Sequence, residues 1–183
     1  MKSSNGATLT AQEDASIFVT APNGKTKYIL TGETALTGIT GLRLEALADD
    51  RLPAKGPGRS QNGNIVVSEF TVATASKAAP NKWTPVPLQN ATADFSQTGY
   101  EVATALDGQA PDTGNGWALS PQLGKDHSAR FETKNDLGSP LGTRLQITLN
   151  QQFQDGTHSL GKFRLSLTTD PRPHQSGLPA NLA

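Results

Sequence analysis

Cysteine is absent from all 183 residues. That excludes disulfides, thiolate zinc sites, iron–sulfur clusters and C-x-x-C-H haem attachment within the chain. It fixes no compartment, because a domain with an adequate core needs no disulfide anywhere. Excess charge is lacking as well: 16 Lys plus Arg balance 16 Asp plus Glu. Without a net field there is no long-range means of gathering nucleic acid or an anionic membrane face, so a neutral partner is expected and nucleic acid is not. No apolar run nears the roughly 20 residues that span a bilayer, and membrane insertion is not expected. Met1-Lys2-Ser3-Ser4-Asn5-Gly6 leads into no signal-peptide core.

Catalytic templates are missing too. His127, His158 and His174 have no H-E-x-x-H spacing, there is no G-x-S-x-G elbow, and the glycine-rich stretch lacks the Lys-Ser/Thr of a phosphate loop. A hydrolase built on two carboxylates is the residual enzymatic reading, since 16 acids allow some pair to meet. The expectation is a domain that binds and does not catalyse.

What is abundant is turn chemistry, with 18 Gly and 12 Pro against only 34% hydrophobic residues. Between the turns, apolar side chains alternate in period two: Leu42, Leu44 and Ala46; Leu145, Ile147 and Leu149; Phe163, Leu165 and Leu167. Further strands are expected near residues 16–20, 27–31, 65–73, 102–106 and 128–133. Eight or nine such strands, each with one buried and one wet face, predict an all-β fold, an antiparallel β-sandwich of jelly-roll type. The length suits one domain over residues 1–170. The Pro- and Gly-rich residues 171–183 have the composition of a linker toward a further domain. A monomer is expected.

Two irregular stretches, 48–64 and 107–126, are long enough to be functional. In the second, Asp107 and Asp112 with nearby carbonyls can supply the hard oxygens that calcium takes, or can cap backbone amides as Asx turns. Glu69 lies within the β-rich run Ile65-Val66-Val67-Ser68-Glu69-Phe70 and must be edge-exposed, paired or bound to a cation. Trp117 reads as a core plug. Trp83, in Pro80-Asn81-Lys82-Trp83-Thr84-Pro85, reads either as a sugar-stacking platform or as an anchor at the edge of the core. Arg59, Asn62 and Asn64 on one loop, with His127 and His158, are the planar polar types that recognise sugar hydroxyls. Each also suits turn-making or a solvated surface.

The strings Gly38-Ile39-Thr40-Gly41-Leu42-Arg43-Leu44-Glu45-Ala46-Leu47, Gly56-Pro57-Gly58-Arg59, Asn62-Gly63-Asn64 and Ser68-Glu69-Phe70-Thr71-Val72 resemble a domain of large planctomycete c-type cytochrome proteins. Ala105-Leu106-Asp107-Gly108, Gly116-Trp117-Ala118, His127-Ser128-Ala129-Arg130-Phe131-Glu132 and His158-Ser159-Leu160-Gly161 resemble it too, over about residues 31–171. The resemblance implies an exported parent, extracellular or periplasmic, whose haem-bearing domains would be partners. It implies no haem in this chain.

The stretch from Ala105-Leu106-Asp107-Gly108 to Trp117 is also similar to the first loop of discoidin-type, galactose-binding-like jelly rolls, and Ser68-Glu69-Phe70-Thr71-Val72 to their closing strand, in circularly permuted order. That second resemblance implies a calcium ion held between Asp107, Asp112 and Glu69, and sugar binding on the loops at one end. The expected function is a carbohydrate-binding module that targets an exported redox or degradative protein to polysaccharide. A structural or protein-docking domain within a cytochrome assembly is the alternative.

Overall fold

The computed structural model describes residues 1–109 and 114–173, and over these the chain is built from strands and turns. In chain order the first strands are β1 (Lys2–Ser3), β2 (Thr8–Ala11), β3 (Ile17–Thr20), β4 (Thr26–Thr34), β5 (Ile39–Ala46), β6 (Val66–Val67) and β7 (Glu69–Ser76). They are followed by β8 (Thr84–Val86), β9 (Leu88–Ala93), β10 (Trp117–Ala118), β11 (His127–Leu137), β12 (Thr143–Gln151) and β13 (Lys162–Thr168). One sheet has the order β1-β4-β12-β7-β8 and the other β2-β3-β13-β5-β11-β9, with β6 and β10 paired separately. All pairings are antiparallel.

The chain repeatedly changes sheet. Without the edge strands β1, β2 and β9, one sheet reads β3-β13-β5-β11 and the other β4-β12-β7-β8, which is jelly-roll connectivity. The expected sandwich is therefore present.

Period-two alternation explains the packing. Tyr28, Leu149 and Phe70 are cross-strand neighbours on one sheet, and Phe131, Leu42 and Leu167 are neighbours on the other. The two ranks meet in the core, where Phe70 stacks on Phe131 with ring centroids 4.0 Å apart. Tyr28 stacks on Phe163 at 5.9 Å, and its hydroxyl donates to the Leu160 carbonyl at 3.0 Å. Trp117 is wholly buried, as its sequence context predicts, and its indole donates to the Phe95 carbonyl.

Three local expectations need correction. Val102–Leu106 is a 3-10 helix and not a strand; Val102 and Ala105, three residues apart, are its buried residues, a spacing that suits a three-residue turn. The polar face of β5 is only partly wet: the Arg43 side chain is 43% exposed, but Glu45 is buried where Arg164 donates to both of its carboxylate oxygens, at 2.7 and 3.0 Å. Those bonds hold the Glu45 carboxyl below its ordinary range. The start of the expected linker is fixed to the sandwich, because Arg172 donates to the Thr133 carbonyl and to Asp136. Residues 174–183 lie outside the described residues.

The ring stack makes a direct prediction. Phe131→Ala should lower unfolding free energy by about 3–5 kcal/mol, read as a drop in the urea midpoint at unchanged slope. A midpoint equal to that of the parent chain would show that the sheets are not joined at this ring.

Candidate functional site

Strand register sorts the loops to two ends. Gln151 pairs with Thr26, Asn150 with Glu69, and Ala46 with both His127 and Phe163. The connections around residues 21–25, 47–65, 119–126 and 152–161 therefore crowd one end. Arg59, Asn62, Asn64, His127 and His158 all belong to it. Trp83 does not: it sits in the β7–β8 connection, at the opposite end.

Glycine makes the crowding possible. Gly58 approaches so closely that a Cβ there would stand 1.9 Å from the Asn64 carbonyl oxygen. Gly63 takes a φ of +80°, and a Cβ on Gly56 would stand 2.5 Å from its oxygen. The loop thus folds on itself and is laced to the 158–161 segment through Arg59 N to Ser159 O and Gly161 N to Pro57 O.

Asn64 is the fastener of this knot. Its Oδ1 accepts from the Ile65 and Leu119 amides, each at 2.9 Å, and its Nδ2 donates to Gln97 Oε1 at 3.1 Å. The side chain is buried with its hydrogen-bonding capacity turned inward. His127 is equally committed: Nδ1 meets Asp94 Oδ2 at 3.0 Å and Nε2 meets the Gln122 carbonyl at 2.7 Å. Asn62 is exposed, and its Oδ1 closes a turn by accepting from Ser60 Oγ and the Asn64 amide. Arg59 is half-buried and donates to the Pro22 carbonyl at 2.9 Å.

His158 is mostly buried, its side chain 15% exposed, and is bonded to Asp155 at 2.9 Å. It packs edge-on against Phe153 at 4.9 Å, and Phe153 packs against Tyr100 at 5.9 Å. Tyr100 and Phe153, both half-exposed, were not legible as site residues in the sequence. No periodicity marks them, and only the fold brings residue 100 to residue 153. Arg59 adjoins this trio through its amide bond to the Ser159 carbonyl, and Asn62 lies further along the same loop, bonded to Ser60 and Asn64.

A second cluster lies at the start of β7. Burying Phe70 directs Glu69 to the outer face of its sheet, directly across from Asn150. Glu69 is 9% exposed, and its Oε1, like Asn150 Oδ1, is buried with no hydrogen-bond donor. Asp107 stands against it, the pairing that the resemblance to discoidin-type domains implies. Burial and the Asp107 carboxylate push the Glu69 carboxyl up to about 7, while the Gly108 and Gln109 amides oppose that rise. Asp107 also accepts from the Gln109 amide at 2.9 Å and from Asn115 Nδ2 at 2.7 Å, so its Asx-turn role is met as well. Asp112 lies outside the described residues. Among the described residues no three His, Asp or Glu side chains converge. The oxygens here come instead from two carboxylates and the Asn150 amide, which sequence reasoning missed.

Comparison with protein families, curated proteins and solved structures yields no match. The class defined by fold and geometry is an antiparallel jelly-roll β-sandwich with a rigid, loop-built end.

Glu69 predicts a pH dependence in metal-free protein. Its folded value, about 7, exceeds the ordinary 4.5, so between those values the folded state holds a proton that the unfolded chain has released. Stability should fall as pH rises through that window. Melting curves from pH 4.5 to 7.5 in chelator should show this slope, and Glu69→Gln should flatten it.

Proposed function

We propose that the chain is a carbohydrate-binding module whose loop end recognises a neutral glycan without turnover. What carries the reading is the packing of Tyr100, Phe153 and His158 against one another at the end of the sandwich that also holds the loop of Arg59 and Asn62, with Arg59 bonded to Ser159. Half-exposed rings offer apolar faces to a sugar ring, and the planar polar groups suit its hydroxyls. Asn64 and His127 act as supports of that surface, since their polar atoms are spent on holding loops together. The balance of 16 basic and 16 acidic residues favours a neutral ligand over a polyanion.

We further propose a structural calcium ion. Glu69 and Asp107 with the Asn150 amide would hold it, with Asp112 as an added ligand by motif resemblance. Two donorless buried oxygens beside a second carboxylate are the donor set a hard cation takes. Its contribution would be to fix the loop after residue 106 to β7; no chemistry is asked of it.

Exported location, with polysaccharide and the haem-bearing domains of a cytochrome parent as partners, remains the setting implied by the resemblance. One observation favours the docking alternative. At the end away from the site, Ile17, Leu30, Leu145, Ile147, Leu165 and Leu167 line an apolar slot of about 290 Å³ between the sheets.

Isothermal titration with neutral and acidic oligosaccharides tests the glycan reading. Binding should be weak and only mildly salt-dependent, and Phe153→Ala or Asn62→Ala should weaken it tenfold or more at little cost in melting temperature. No binding across the panel, with tight binding to a haem-bearing portion of the parent, would establish the docking reading instead. Calcium tests separately: at a hundredfold excess over Kd it should add about 2.7 kcal/mol of stability, and Glu69→Gln should abolish the gain. Equal melting in calcium and in chelator would remove the ion from the account.

A further inference from the structure

Along one of its two edges β13 is only partly covered. Its pairing with β3 stops at Phe163 opposite Ile17, while its pairing with β5 runs on to Thr168 opposite Gly41. The β2–β3 hairpin is the cause: the Gln12 amide bonds to the Ser16 carbonyl across the turn, Ala15 takes a φ of +61°, and the chain turns away from β13 there.

Backbone alternation says which groups are left open. The Lys162 carbonyl accepts from the Leu47 amide on the β5 side, so the N–H and C=O of Arg164, Ser166 and Thr168 also point toward β5, and those of Leu165 and Leu167 point away. Among the described residues no backbone bond reaches Leu165 or Leu167 from that side. The run Leu165-Ser166-Leu167-Thr168-Thr169 holds neither a charge nor a proline, the devices that usually keep an edge from pairing.

The apolar slot borders this edge. Leu165 and Leu167 line it from β13, Leu145 and Ile147 from β12, and Leu30 and Gly32 from β4. Its volume is about 290 Å³; a cavity of roughly 150 Å³ takes a benzene ring, so the slot has room for aliphatic side chains. Gly32 keeps it open. It lies across from inward-facing Leu145, its φ is outside the left-handed region, and a Cβ there would meet no atom within 4 Å. Neither backbone conformation nor crowding calls for glycine at this position, and a glycine inside a strand often marks the close approach of another backbone or a ligand.

A free backbone edge beside an apolar slot defines its occupant. An extended peptide brings main-chain donors and acceptors for the edge and, at alternate positions, side chains for the slot. A second folded copy lacks the latter, because its own Leu165 and Leu167 already line its own slot. We propose that an extended segment of a partner polypeptide, apolar at every second residue, adds to β13 as an antiparallel edge strand along residues 165–168 and buries those side chains in the slot. This surface is independent of the loop end, so the glycan reading stands or falls apart from it.

A panel of synthetic heptapeptides tests the proposal, with Lys at both ends, Thr at the outward positions and every combination of Val, Ile and Leu at the inward ones. Binding is read by fluorescence anisotropy and by amide hydrogen exchange. At least one peptide should bind at one per chain and slow exchange of the Leu165 and Leu167 amides about tenfold or more. The same peptide N-methylated at its inward residues, which removes the donors that face β13, should lose binding. Gly32→Val, which fills the slot, should lose it too without a fall in melting temperature. No binding across the panel would overturn the proposal, as would binding undiminished by N-methylation or by Gly32→Val. Exchange that slows with protein concentration alone would overturn it in favour of a second copy.

Discussion

The stack of Phe70 on Phe131 is the contact on which the other placements depend. A pleated strand sends neighbouring side chains to opposite faces, so fixing Phe70 inward settles the direction of its whole strand. Glu69 is thereby turned outward beside Asn150, where the segment after residue 106 can cover it. By the same rule, Leu145 in the core places Arg144 on the outside, where it meets Trp83. Inward-facing Phe70 and Leu145 thus set the face that Glu69 and Arg144 occupy.

The loop end obeys a different constraint. Chain packed this tightly leaves little room for water, and each buried amide needs a partner within the protein. Asn64 meets that need for Ile65 and Leu119, His127 reaches both Asp94 and Gln122, and glycines allow the backbones to touch. Polar residues with the composition of a binding surface are thus divided by the fold into fasteners that face inward and a smaller set that faces out.

That division explains what the sequence could and could not convey. Strands with strong alternation were legible, as was the burial of Leu42, Leu44, Phe70, Phe131, Phe163 and Trp117. Short edge strands such as β2, β8 and β9 were not, because a few half-buried residues carry no clear period. Val102–Leu106 misled because five residues with apolar ends fit both a strand and a tight helical turn. Glu69 and Asp107 were paired by motif and do meet. Asn150, Tyr100 and Phe153 were invisible, because their significance comes from partners 81, 53 and 53 positions away. Trp83 was legible as an unusual tryptophan, but its end of the sandwich followed only from register.

The close approach of Gly56 and Gly58 to Gly63 and Asn64 also says how this surface can be redesigned. A combinatorial library that randomised the whole 56–64 loop would spend most of its members on chains unable to close, since any side chain at those glycines meets backbone. Diversity belongs at the solvent-facing positions Gln61 and Asn62 and on the neighbouring 153–158 segment. There new specificities can be sampled while the scaffold beneath them stays constant, as paratope loops vary on a fixed framework.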